Sequence, residues 1–284
     1  MSHFELPLVF FTIFTQWGVG AIVALTCLML FEPALAEERL HSGSMRCVAP
    51  ALFLIVAAGT ALSVLHLGSP GGMLRAFSNM GSSWLSREAL AFAALNTVLL
   101  VWAICFYRCS DNKRLPTKVS LLASAVGIIA LLSTGKLYYQ MLSHPFWNSP
   151  LTFFNFLGTA ALLGFVTISI LYSLGEGQRN LPGVLVAGII LSVLLMLGVL
   201  AGYACGLNQS GNFLKAARHM FGSPLFIAFI LFALLLPTGI AAYLYRRSSL
   251  NWAAGCILVV LLVGSAICSR ILFFWPVMHQ QPWF

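Results

Sequence analysis

The chain has little charge. Asp, Glu, Lys and Arg make up 8% of its 284 residues, against about a quarter in soluble domains. With 60% hydrophobic residues, that deficit excludes an ordinary water-soluble globule. The net charge of +8 is spread over short loops. No basic stripe interleaved with aromatics exists, so nucleic-acid binding is excluded. The 7 cysteines contain no CxxC pair. Cys105 and Cys109 are close in sequence, but Cys105 lies in an apolar run. Iron–sulfur ligation needs clustered thiolates, so this chain is expected to hold no cluster. Histidine is scarce where haem would need it. His3, His41, His144, His219 and His279 fall in breaks or tails, which leaves His66 alone at the end of an apolar run. A transmembrane b haem takes an axial ligand on each face, so no haem is expected. Walker, G-x-S-x-G and H-E-x-x-H motifs are missing as well.

What the chain has is long apolar runs. A helix crosses the hydrocarbon core with about 20 residues. Eight stretches qualify, approximately 6–31, 48–67, 88–107, 119–142, 151–174, 182–205, 223–245 and 251–275. The breaks carry Glu32-Pro33, Gly71-Gly72, Leu115-Pro116, His144-Pro145, Leu181-Pro182 and Ser223-Pro224, all helix punctuators. Runs of this length without two-residue alternation predict helices rather than a barrel. The first run is too long for a signal-peptide core and has no basic flank, so it is expected to stay in the membrane. The expected fold is all-α and polytopic, a single domain over 1–284 made of one bundle of eight transmembrane helices.

Lys and Arg set the orientation. Breaks after the odd-numbered helices hold Arg39, Arg46, Arg108, Lys113, Arg114, Lys118, Arg179, Arg246 and Arg247. Those after the even-numbered helices hold Arg75, Arg87, Lys215 and Arg218, while Lys136 and Arg270 fall inside helices. The richer set is expected in the cytoplasm, with both termini periplasmic. His66 and Glu88 then lie near the outer face. Lys136, about 26 Å along its outward-running helix, and Arg270, about 28 Å along its own, fall in the same layer.

That layer suits quinol oxidation, which releases two protons and two electrons. A histidine, with an ordinary pKa of about 6.5, can take a proton from the ring hydroxyl. Glu88 can pass it onward, and Arg75 or Lys136 can hold a ring oxygen. Tyr139 and Gln140 share the helical face of Lys136, whereas Tyr138 points elsewhere. Other readings stand beside this one. His66 can cap its helix at the interface, Glu88 can pair with Arg87 or Arg75, and Arg75 and Lys136 can snorkel. Arg270 is expected to be an interfacial anchor. The His144-Pro145-Phe146-Trp147 turn, with Trp275, Trp283 and Phe284, is expected to form an aromatic belt. A secondary transporter is the alternative from another class. Transport sites sit near the midplane on broken helices, whereas these charges crowd one face.

The residues Leu65-His66-Leu67-Gly68-Ser69-Pro70, then Arg75-Ala76-Phe77, then Leu85-Ser86-x-Glu88 resemble the membrane anchor subunit of bacterial dimethyl sulfoxide reductase. The opening Glu5-Leu6-Pro7-Leu8-Val9-Phe10-Phe11-Thr12, with Gln16, is similar to that family's amino terminus. The resemblance implies a haem-free anchor in the bacterial inner membrane that oxidises menaquinol during anaerobic respiration. It implies two partners, an iron–sulfur electron-transfer subunit and a molybdopterin catalytic subunit. Within the family pattern His66 matches the essential histidine and Glu88 the functional glutamate. Arg75 matches an arginine after Ser-Pro, with extra residues around Gly71-Gly72 before it. Lys136-Leu137-Tyr138 stands where the family has Arg-x-Tyr. The implied quinol-binding set is His66, Arg75, Glu88, Lys136, Tyr138 and Tyr139. Related anchors of polysulfide or tetrathionate reductases share this chemistry.

Overall fold

The computed structural model describes residues 6–35, 47–66, 75, 77–108, 114–144, 146–174, 180–205, 221–246 and 249–278. The side chain of His66 lies outside this set. Long helices account for most of the described residues: α1 (Leu6–Phe31), α2 (Val48–His66), α3 (Trp84–Arg108), α4 (Arg114–Tyr139), α5 (Leu151–Ser173), α6 (Gly183–Cys205), α7 (224–246) and α8 (Trp252–Met278). Seven of them are long and apolar enough to cross a membrane, and the apolar part of α2, Val48–Val64, is shorter. The multi-pass, all-helical reading therefore holds.

Local chemistry sets where helices start. Ser83 Oγ accepts the Ser86 N–H at the start of α3, and Asn251 Oδ1 accepts the Ala254 N–H at 2.8 Å at the start of α8. Each satisfies one of the backbone donors that a first turn leaves over. The α3 start is earlier than the apolar run predicts. Trp84 and Arg87 belong to its first turn because Ser83 caps it and Arg87 folds back onto the carbonyls of Met80 and Gly81 at 3.0 and 2.7 Å. In α7, the stretch Phe229–Leu235 is π-helical between α-helical ends.

Helix α1 is the central post, packed against α2, α4, α5, α6 and α8. Its closest approach is to α5. A Cβ at Gly20 would overlap the Ala160 carbonyl, and one at Gly164 would overlap the Gly20 backbone. Apolar lipid leaves little hydrophobic drive between helices, so small residues that let backbones touch carry the association. Interhelical hydrogen bonds add to it. Trp17 Nε1 donates to Thr167 Oγ1 at 2.8 Å, Thr26 and Ser124 hydroxyls meet at 2.9 Å, and Asn96 Nδ2 donates to Thr60 Oγ1 at 3.0 Å. At the other end, Glu32 Oε1 accepts the Val184 N–H at 2.9 Å. A carboxylate there favours the positive end of the α6 dipole.

Candidate functional site

Glu88 lies on the second turn of α3 and is buried, 6% exposed. It faces α4, where Thr134 donates its hydroxyl to Glu88 Oε1 at 2.5 Å. Among the described side chains it has no ion-pair partner. Arg87 is spent on the Met80 and Gly81 carbonyls and lies over the Trp84 ring at 4.4 Å. Pairing of Glu88 with Arg87 is thereby replaced by a neutral hydroxyl contact. A carboxylate buried on one hydroxyl is costly to charge.

Lys136 stands two residues beyond Thr134 in the last turn of α4. Its ammonium lies 4.7 Å from the Tyr139 ring centre and 5.8 Å from that of Trp84. Trp84 is one turn before Glu88 on α3, so the indole joins the lysine to the carboxylate's helix. The i+3 relation to Tyr139 is as the helical period requires. The structure thus brings Glu88, Lys136 and Tyr139 to one end of the α3–α4 pair and adds Trp84 and Thr134. Sequence reasoning missed those two. Nothing in the sequence marks them: a threonine and a tryptophan in apolar helices do not show their partners, and Thr134, two residues from Lys136, lies off its helical face.

The remaining predicted residues sit differently. His66 ends α2, which packs on both α1 and α3; its imidazole is outside the described residues. Arg75 is exposed, in a short turn whose carbonyl accepts both the backbone and the hydroxyl of Ser78. Tyr138 faces away from Lys136. It is 3% exposed among Trp147, Phe156, Phe273 and Phe274, with ring centres 5.0 to 5.9 Å apart.

Two expectations are corrected. Arg270 is no interfacial anchor; it is 0% exposed. Its Nη2 donates to Asn155 Oδ1 at 3.2 Å and Thr159 Oγ1 at 2.9 Å, and the guanidinium lies over Phe156 at 4.6 Å. On α8, Ala266, Ser269, Arg270 and Phe273 fall on one buried face. Asn155 and Thr159, one turn apart on α5, were the sequence signal for its partner. Nor do His144, Phe146 and Trp147 form a belt, because all are buried. The turn folds inward, with Phe146 stacked on Tyr203 at 4.3 Å and Trp147 Nε1 donating to the Phe273 carbonyl at 3.1 Å. Indole and phenyl groups gain more by closing this helix junction than by lying in the interface. Trp283 and Phe284 lie outside the described residues, as does the Trp275 side chain.

The protein is 26% identical to an anaerobic dimethyl sulfoxide reductase chain of Haemophilus influenzae, over 95% of its own length and 94% of that relative's. It is 27% identical to an anaerobic dimethyl sulfoxide reductase chain of Escherichia coli, over 66% of each. A sulfite dehydrogenase subunit of Allochromatium vinosum is 28% identical, over 58% of this protein and 54% of the relative. The family model for the DMSO reductase anchor subunit, DmsC, matches residues 1–275, and the chain belongs to that family.

Proposed function

We propose that this protein anchors a dimethyl sulfoxide reductase-type complex in the bacterial inner membrane and oxidises menaquinol near the periplasmic face. The observation that carries the reading is the buried Glu88 carboxyl held by Thr134, at the end of the α3–α4 pair where a lysine lies over Trp84 and Tyr139. The Trp84 and Tyr139 rings are flat apolar partners for a quinol head. Lys136 holds one ring oxygen, and Arg75 orients the head group. His66 takes the first proton from a ring hydroxyl. Glu88 receives it and passes it to the outer side. Two protons and two electrons leave for each quinone formed, the electrons going to an iron–sulfur subunit that serves a molybdopterin catalytic subunit. Protons released on the side where the reductase consumes them make turnover electroneutral. A second reading keeps the same site but reverses it. One relative is a sulfite dehydrogenase subunit; in a complex of that kind the same site would run in reverse and reduce quinone, and it would also serve a polysulfide or tetrathionate complex.

The experiment is His66→Arg in the assembled complex, with oxidation of a menaquinol analogue as readout. Loss of oxidation with normal assembly is expected. Normal oxidation by an assembled variant sinks the site. Reduction of quinone with sulfite as donor, and no quinol oxidation by the unaltered complex, selects the second reading. Genes for a molybdoenzyme and a cysteine-rich electron carrier beside this one would support the partners.

A further inference from the structure

Helix α7 interrupts its own hydrogen-bond ladder inside the bundle. It is π-helical over Phe229–Leu235, and the buried Pro237 follows. Proline has no N–H, so the turn before it leaves a carbonyl without its helical donor. At membrane depth such groups are satisfied by neighbouring Ser and Thr side chains or by ordered water.

Two small spaces lie where α7 meets α5, α6 and α8. One is lined by Pro237, Thr159, Ser265, Ser269 and Met196, among others, with about 10 Å³ of room for water centres. The second, nearer the end of α6, is lined by Phe229, Asn155, Tyr203, Ser269 and Met196, among others, with about 30 Å³. Ser269 and Met196 line both, so the two spaces adjoin. A water needs roughly 10–15 Å³ of such room and about two to four polar partners. The first space therefore has the size of one water.

The polar groups around it suit a water in both senses. Ser269 is 5% exposed, and its hydroxyl has no hydrogen-bond partner among the described residues, which leaves a donor. Ser265 Oγ donates to the Leu262 carbonyl at 2.8 Å. Thr159 Oγ1 donates to the Asn155 carbonyl at 2.8 Å and accepts Arg270 Nη2 at 2.9 Å. A hydroxyl oxygen has two lone pairs, so each of these two can still accept.

We propose that a water molecule is bound between α5, α7 and α8. It accepts from Ser269 and donates to Ser265 or Thr159, with its second hydrogen for the carbonyl left over before Pro237. Water continues from it into the adjoining space beside Asn155. An apolar cavity stays dry; the three hydroxyls hold this water in place. Its role is adhesive. Ile227, Leu231, Phe232 and Leu235 of α7 are exposed, and apolar packing gives little drive between helices in lipid. A water shared with α5 and α8 fastens the interrupted turn of α7 to the bundle. The site is on the α5–α8 side and does not rest on the quinol reading.

The test uses the full chain purified with its copurifying subunits. A high-resolution density map should show an ordered water within hydrogen-bond distance of Ser269 Oγ and of Ser265 or Thr159. In parallel, X-ray radiolysis generates hydroxyl radicals from bound water, and methionine oxidation is read by mass spectrometry. Met196 is buried and lines both spaces, whereas Met80 is exposed. Met196 should be oxidised despite its burial. Ser269→Ala should lower that oxidation several-fold and leave Met80 unchanged. A lipid tail or no density between the three hydroxyls overturns the proposal. So does Met196 that stays unoxidised while Met80 reacts, or that reacts equally in Ser269→Ala. Should that variant not assemble, the density map of the unaltered complex decides.

Discussion

The Thr134 hydroxyl donates to Glu88 Oε1 at 2.5 Å, tying α4 to α3 at the end of the bundle where Lys136 meets Trp84. A hydrogen bond to a charged group contributes about 1.5–3 kcal/mol. Thr134→Val keeps the shape and removes the donor. If the ionised carboxylate is used in turnover, quinol oxidation should fall about ten- to a hundredfold, at roughly 1.4 kcal/mol per factor of ten. Thr134→Ser should restore most of it. The assay is analogue oxidation normalised to assembled complex, and an unchanged Thr134→Val rate would remove Glu88's charge from the mechanism.

Lys136 should act through its charge. It has no carboxylate partner among the described side chains and lies over two aromatic rings. Lys136→Arg keeps a cation, so the loss should stay within about threefold, whereas Lys136→Met should lose about tenfold or more. The loss should fall mainly on KM, because a cation on a ring oxygen stabilises bound quinol and transition state alike. A Lys136→Met complex with unchanged KM would show that the lysine only packs on Trp84.

Helix existence was legible because apolar runs near twenty residues leave the backbone no other way to satisfy itself. The ends were less so. Arg87 was counted with the break before the third apolar run and as a possible partner of Glu88, yet it bonds the turn before α3 and extends that helix back to Trp84. The Glu88–Lys136 neighbourhood was partly visible from topology, since both residues fall in one layer. Thr134 and Trp84 were not, because a threonine and a tryptophan in apolar helices carry no mark of their partners. Arg270 was misread for a related reason. Position along a helix says how deep a residue lies but not which face is buried, and its neutral partners on α5 lie 111 and 115 positions away.

Orientation is open to direct measurement. The excess of Lys and Arg in breaks after odd-numbered helices predicts periplasmic termini. Alkaline phosphatase fused after Met278 should be active, and the same reporter in the break before Val48 should be inactive. Cytoplasmic placement of the C-terminal reporter would move the whole quinol site to the inner face. It would also invert the expectation of electroneutral turnover.

Tyr138 separates packing from chemistry. Its ring sits in an aromatic cluster on the side of α4 away from Lys136. Tyr138→Phe keeps the ring and should leave quinol oxidation within about twofold, the change expected when less than 1 kcal/mol is lost. Tyr138→Ala should cost about 3–5 kcal/mol of stability, as buried aromatic truncations do, seen as a lower Tm and poor assembly. A Tyr138→Phe variant that folds normally but loses oxidation would place the hydroxyl in the quinol site.

The α1–α5 crossing makes the sharpest structural prediction. At Gly20 and Gly164 an added methyl meets backbone rather than a side chain that could swing aside. Relief therefore requires the two helices to separate. Because α1 contacts α2, α4, α6 and α8 as well, that separation strains the centre of the bundle. Gly164→Val should exceed the roughly 1–3 kcal/mol typical of an overpacked core and prevent recovery of folded protein in detergent. Gly198→Ala is the control, since nothing lies within 4 Å of a Cβ there, and it should be recovered normally. Equal recovery of Gly164→Val and Gly198→Ala would mean that backbone contact at this crossing does not hold the fold together.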